Sequence, residues 1–86
     1  MGELSKLPNI GKIVEAQLNE VGINTIDKLE KCGSKEAWLR IKSIDDSACI
    51  NRLCALEGAI QRIRWHSLSD EKKSELKEFY KSVNEK

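Results

Sequence analysis

A proline and two glycines divide residues 7–23 into a turn, a helix and a second turn, and this order constrains the fold more than any other feature. Pro8 fixes one backbone angle and disfavours helical angles at Leu7, so the chain must bend before a helix begins. Gly22 lies where a helix commonly ends in a left-handed residue. The backbone amides of residues 10–13 are therefore predicted at a helix N-terminus, where they lack intrahelical acceptors and carry partial positive charge. A phosphate group could bind to such amides.

Apolar residues recur at helical spacing along the rest of the chain, and no alternating stretch is long enough to predict a strand. Five helices are predicted: one from Ile10, a short one capped by Thr25 and ended by Gly33, one capped by Ser34 and ending near Ile44, one over about residues 48–64, and one after Ser69. The fourth is apolar on most of its circumference, which predicts a central position. Gly58 within it is predicted to let the first or third helix pack close, and Trp38 is predicted to face the core.

Charge and cysteine content limit the function classes that this single all-α domain can serve. Fifteen Lys and Arg against fourteen Asp and Glu leave a net charge of +1, so any nucleic-acid contact should be local, weak and nonspecific. No apolar run suits a membrane span and no secretion signal begins the chain, which predicts a cytoplasmic protein without a membrane partner. Cys32, Cys49 and Cys54 follow no metal-ligand spacing and are interpreted as buried reduced thiols, so no metal or cofactor is expected.

Several motifs together carry a family resemblance. They are Leu-Pro-Asn-Ile-Gly at residues 7–11, Val-Gly-Ile at 21–23, the segment 25–29, Glu-Ala-Trp-Leu-Arg-Ile at 36–41, Leu-Cys-Ala-Leu-Glu-Gly-Ala-Ile at 53–60, and Arg-Trp-His at 64–66. In this combination the chain resembles the C-terminal domain of the TfoX (Sxy) family, regulators of bacterial natural competence, over roughly residues 4–81. The resemblance implies a helix-hairpin-helix core of the SAM-domain-like type and a non-enzymatic regulatory role. Family members with a role in competence carry an additional N-terminal domain, so this chain, taken as a single domain over residues 1–86, is expected to be a stand-alone module.

The hairpin turn, residues 7–11, is the candidate nucleic-acid site. The residues assigned to it are Asn9, Ile10, Gly11 and Lys12, with Lys6 adding positive charge. In helix-hairpin-helix DNA binders the turn commonly reads Gly-x-Gly, and Asn9 here replaces the first glycine. Asn tolerates left-handed backbone angles, although its side chain could crowd an approaching phosphate. The alternative is that Pro8 and Gly11 only set the angle at which the chain enters the helix.

Two further groups of residues are candidates for other roles. Glu57 interrupts the apolar helix and is predicted to hold the corner, defined as Arg64, Trp65 and His66, against the core. A catalytic pairing of Glu57 with His66 would lack a nucleophile, a metal cluster and a phosphate loop, so no catalytic residue is assigned. The predicted partner surface, for another protein or a second copy of the chain, comprises Trp65, Leu76, Phe79 and Tyr80. The last helix could also pack in trans to form a swapped dimer.

Overall fold

The computed structural model describes residues 3–84, with side chains to residue 83. These residues form four α-helices and two 3-10 turns: α1 (Lys12–Glu20), α2 (Ile26–Ile44), α3 (Ile50–Gln61) and α4 (Asp70–Asn84), with the 3-10 turns at Leu4–Lys6 and Trp65–Ser67. The described part of the chain contains no strand, which confirms the all-α prediction. None of its helices is both long and apolar enough to cross a membrane. The ends of the predicted domain, residues 1, 2, 85 and 86, lie outside the described range.

The predicted second and third helices are two helical segments that meet at Gly33, as predicted, and together they make up α2. Gly33 has φ 83° and ψ 162°, angles open to glycine but rarely to other residues, and helix resumes directly after it. The described residues therefore form four helical elements, the second of which is divided at Gly33, so a count of five separate helices is not confirmed. Thr25 caps α2 as predicted, since its Oγ1 accepts a hydrogen bond from the Lys28 amide at 3.1 Å. Ser34, the other predicted cap, is buried and donates its hydroxyl to Glu57 Oε1 instead, at 2.6 Å.

Left-handed residues end both α1 and α3, but only one of them is a glycine. After α1, Gly22 has φ 89°, as its position predicted, and the Ile23 amide donates to Leu18 O at 2.8 Å. After α3, Arg62 takes the left-handed angles φ 64° and ψ 36°. Helix α3 therefore ends at Gln61, three residues before its predicted end, and the chain turns away from the helix axis.

The core lies where α2, α3 and α4 meet. Trp38 is fully buried there, as predicted, and its indole Nε1 donates to Cys49 O at 3.2 Å. Helix α3 packs mainly against α2, and α4 packs against α3. The rings of Phe79 and Tyr80 on α4 lie against Trp38, with centroids at 6.0 and 5.5 Å. The last helix thus packs on its own chain.

A polar cluster ties α1 to the junction between α2 and α3. Asp45 Oδ2 accepts hydrogen bonds from Gln17 Nε2 at 2.7 Å and from an Arg52 guanidinium nitrogen at 2.9 Å. Its other oxygen accepts the Ser47 hydroxyl at 2.5 Å. These bonds, with the one from Ser47 contributing most, hold the pKa of the Asp45 carboxyl well below its usual range. The cluster thereby joins α1, at Gln17, to the junction between α2 and α3.

Candidate functional site

The hairpin turn bends the chain between the first 3-10 turn and α1. Asn9 occupies the left-handed region at φ 70°, so the turn keeps the shape that a glycine would give it. The Ile10 amide donates to Leu7 O at 3.4 Å, which closes the turn. Gly11 precedes α1 in an extended conformation, with φ −98° and ψ −173°. The first hydrogen bond of the helix runs from the Glu15 amide to Gly11 O, at 3.0 Å. No side chain caps this helix start.

The Asn9 side chain is directed into the protein. Its Nδ2 donates to Ile63 O at 3.0 Å and to Ala55 O at 3.4 Å, and its Oδ1 accepts from the Trp65 amide at 3.3 Å. It fills the space beside Gly58, where an added Cβ would lie 2.6 Å from Asn9 Nδ2. Two corrections follow. The Asn9 side chain does not face a phosphate; it acts as an internal clamp, because it bonds the hairpin turn to residues 55, 63 and 65. Gly58 makes room for the hairpin turn and not for another helix.

The outer face of the hairpin turn is open. A Cβ added to Gly11 would meet no atom within 4 Å. Lys12 is exposed, and within residues 3–84 neither its ammonium group nor its backbone amide has a partner. Ile10, by contrast, is buried, and its amide already donates to Leu7 O. The assignment of Ile10 to the binding site is therefore wrong, and Ile10 is a core residue. Of the four residues assigned to the site, Gly11 and Lys12 face outward. Ile13 beside them is 72% exposed, more than the other exposed large apolar side chains of the described residues, Ile44 at 43% and Leu39 at 37%.

The corner is held to the body by Asn9 and by α4. Trp65 is half-buried against the core and its ring stacks on the His66 ring, with centroids 4.1 Å apart. Lys73 Nζ on α4 donates to His66 O at 3.1 Å. Arg64 is exposed. The corner therefore sits between the hairpin turn and the last helix.

Glu57 does not hold the corner, which corrects the prediction made from helical spacing. Its Oε1 accepts from Ser34 on α2 at 2.6 Å, and its Oε2 accepts from Gln61 on its own helix at 2.7 Å. The physical reason is the early end of α3: the left-handed Arg62 carries the corner away from the face on which Glu57 lies. The carboxylate instead links α2 to α3.

The predicted partner surface on α4 is largely used within the chain. Leu76 has no exposed surface, and Phe79 and Tyr80 are half-buried against the core. Lys35 on α2 pairs with Glu75 at 2.6 Å and lies 5.6 Å from the Phe79 ring centroid. The Lys35 hydrogen bond is the main cause that lowers the pKa of Glu75. Leu76 is therefore corrected to a core residue, because the apolar stripe of α4 covers the body of its own chain.

The Cys, His, Asp and Glu side chains of the described residues are not grouped as metal ligands. No group of three His, Cys, Asp or Glu side chains in residues 3–84 is placed to hold a metal ion. Cys54 is buried, and burial raises the pKa of its thiol. Cys32 and Cys49 are only half-buried, although the sequence predicted buried thiols at all three positions.

These features define a small all-helical domain in which an uncapped, open helix start follows a tight turn. The chain belongs to the TfoX C-terminal domain family, whose model matches residues 1–80. It is 36% identical over 83 residues to protein Sxy of Escherichia coli strain K12, an alignment that covers 96% of this chain and 40% of that protein. The chain thus spans about two fifths of the length of this relative.

Two crystal structures of proteins from Listeria monocytogenes have the same fold. One is a triclinic form of a protein described as uncharacterized, and the other is a tetragonal form of a protein described as of unknown function. Both are 54% identical to this chain, with TM-scores of 0.93 and 0.92. The similarity covers 94% of this chain and 92% or 99% of theirs. The family resemblance predicted from the sequence is confirmed.

Proposed function

We propose that this domain is a non-enzymatic, cytoplasmic regulatory module of the competence-regulator type, and that its hairpin turn contacts the nucleic-acid backbone without reading sequence. Family membership supports the regulatory part of this proposal. The contact with nucleic acid rests on one observation: the open helix start at Gly11 and Lys12. In this proposal the first 3-10 turn, the hairpin turn and α1 act together as a helix-hairpin-helix unit.

The chemistry of the open face suits a single phosphate. Amides at a helix N-terminus carry partial positive charge, and Lys12 adds a full charge beside them. Gly11 has no side chain to obstruct the phosphate, and the Asn9 side chain is directed away from this face. A phosphate contact carries no base information, so binding is nonspecific. It is also weak and sensitive to salt, because a net charge of +1 offers few cations.

An NMR titration of the 15N-labelled domain with a 16-base-pair duplex at low salt tests this proposal. The amides of residues 11–14 should shift, and the shifts should disappear at high salt. Lys12→Glu should abolish binding while leaving the fold intact, because an acidic residue suits a helix start. Gly11→Ala should weaken binding, because its methyl group would point into space that is open in the free protein.

Lys77→Glu is the matched control, since it makes the same change of net charge at an exposed cation on α4. Binding should survive in this variant. The proposal fails if the wild-type domain shows no salt-dependent shifts, or if the Lys12 and Lys77 variants lose affinity equally.

A second candidate function, self-association or protein binding without nucleic acid, is favoured by the exposure of Ile13. The Ile13 side chain is 72% exposed beside the open face and phosphate binding does not use it, so it is available to an apolar partner surface. For a second copy of the chain as partner, sedimentation should show a dimer that is insensitive to Lys12→Glu and that Ile13→Ser dissociates. A monomer at all concentrations would exclude the homodimer.

A further inference from the structure

Two hydrogen bonds join the end of α2 to α1. Arg40 Nη1 donates to Val21 O at 3.4 Å. Gln17 Nε2 donates to Asp45 Oδ2 at 2.7 Å. Ile44 lies between these two contacts, four residues after Arg40 and one before Asp45. Because positions four apart share one face of a helix, Ile44 is held beside the second half of α1.

The same side of α1 carries another exposed isoleucine. Ile13 precedes Gln17 by four residues, so their side chains lie on one face of α1, one turn apart. Gln17 in turn contacts the residue that follows Ile44. Ile13 and Ile44 therefore lie on either side of a single polar contact between α1 and α2. Both are large apolar side chains with an exposed surface.

We define the seam surface as these two isoleucines and the exposed residues of α1 that lie between them: Lys12, Ile13, Ala16, Glu20 and Ile44. Lys12 adjoins Ile13 at one end, and Glu20 lies at the other end, where α1 contacts α2 beside Ile44. Glu20 follows Lys12 by eight positions, which is about 12 Å along a helix. Neither side chain forms an ion pair within residues 3–84. Each end of the seam surface thus has one isoleucine, and the two ends have opposite charges.

A surface whose two ends match each other is complementary to a second copy of itself. A twofold axis that crosses α1 at Ala16 sets each end of the seam surface against the opposite end of the other copy. Ile13 then contacts the partner's Ile44, and Lys12 lies opposite the partner's Glu20. Ala16 is exposed at the axis, and its small side chain lets the two α1 helices approach closely.

We infer that two copies of this domain associate through the seam surface, with their α1 helices antiparallel. This inference rests on the second candidate function, self-association, and it does not require the contact with nucleic acid. Burial of the four isoleucines supplies the binding free energy. Exposed ion pairs add little affinity, but they disfavour orientations in which like charges meet. Lys12→Glu therefore leaves the dimer assembled.

Sedimentation equilibrium of the purified domain, up to millimolar concentration, tests which side chains hold the dimer. Ile13→Ser and Ile44→Ser should each weaken association at least about tenfold, because each removes an isoleucine that the dimer buries. Leu39→Ser is the matched control. Leu39 is also an exposed large apolar residue of α2, but it lies about 140° around the helix from Ile44. Its replacement should leave the association unchanged.

Disulfide cross-linking under mild oxidation tests the orientation of the two copies. A mixture of the Ile13→Cys and Ile44→Cys variants should form a link between positions 13 and 44, identified by mass spectrometry. Neither variant alone should link to itself through the new cysteine. Wild type is the control for Cys32, Cys49 and Cys54. A link between two copies of position 13, without the mixed link, would refute the antiparallel arrangement.

The outcomes separate this inference from the functions proposed above. A wild-type domain that stays monomeric at millimolar concentration would overturn the inference together with the homodimer, while the duplex titration decides the nucleic-acid contact independently. A dimer that Ile13→Ser dissociates and Ile44→Ser leaves intact would support self-association and contradict the inference alone.

Discussion

Replacement of Gly58 by alanine tests how the hairpin turn is joined to the body. A Cβ at this position would lie 2.6 Å from Asn9 Nδ2, 2.9 Å from Ile63 O and 3.0 Å from Trp65 Cα. Two of these three atoms are backbone and cannot move independently of the chain. Relief of the contact must therefore displace the corner or break the hydrogen bonds that Asn9 makes.

The expected loss of stability follows from three opposing effects. Alanine gains about 1 kcal/mol over glycine inside a helix. Overpacking costs about 1–3 kcal/mol. Loss of the Asn9 hydrogen bonds leaves polar groups at Ile63 and Trp65 without partners, at a further cost of about 1–3 kcal/mol. The net destabilisation is about 1–5 kcal/mol, and its middle value of about 3 kcal/mol lowers the melting temperature of a domain of this size by roughly 12–24 °C.

Urea unfolding followed by tryptophan fluorescence, with thermal melts by circular dichroism, measures this effect. Gly11→Ala is the matched control because its Cβ would meet no protein atom. It should change the free energy of unfolding by no more than about 1 kcal/mol, because two effects oppose each other. Alanine is a poorer N-cap residue than glycine, but it also lowers the conformational entropy of the unfolded chain. If Gly58→Ala is as stable as wild type or more stable, the close approach of the hairpin turn to α3 is contradicted.

Two other perturbations test the body of the domain. Leu76→Ala should cost about 2–5 kcal/mol in urea unfolding, because Leu76 is fully buried; a loss below about 0.5 kcal/mol would show that α4 does not pack on its own chain. Three hydrogen-bond donors, Ser47 foremost, lower the pKa of Asp45 in the folded state. A lowered folded-state pKa gives stability that is complete above the unfolded value, near 4, and is lost as the pH falls below it. The stability difference between wild type and Asp45→Asn should therefore be largest near pH 7 and shrink below about pH 4, and a difference that does not change with pH would contradict this.

Local signals predicted the helical elements well. Gly22 and Thr25 act on their own backbone neighbourhood, so their roles could be inferred from residue type and spacing. Gly33 likewise interrupts the helix as its residue type predicts, since its backbone angles are not helical. The early end of α3 had no such signal, because Arg62 takes a left-handed conformation that residue type does not favour. That single conformation also removed the basis for the contact predicted between Glu57 and the corner.

Part of the geometry of the candidate site could be predicted from the sequence, and its binding role stays a prediction. The bend at Pro8 and the exposed start of α1 follow from the sequence, and Gly11 and Lys12 lie on the open face as assigned. The inward direction of Asn9 does not follow, because its partners at Ile63 and Trp65 are more than 50 positions away. Helical periodicity relates a residue only to positions three or four away.

The sequence by itself determined that this chain is helical, that it bends before α1, and which family it resembles. These properties depend on backbone preferences and periodicity, which act over a few residues. Only the tertiary structure decided that Asn9 clamps the corner to the hairpin turn. The reason is that a side chain takes the partners that packing brings to it, and packing is settled by the whole chain at once.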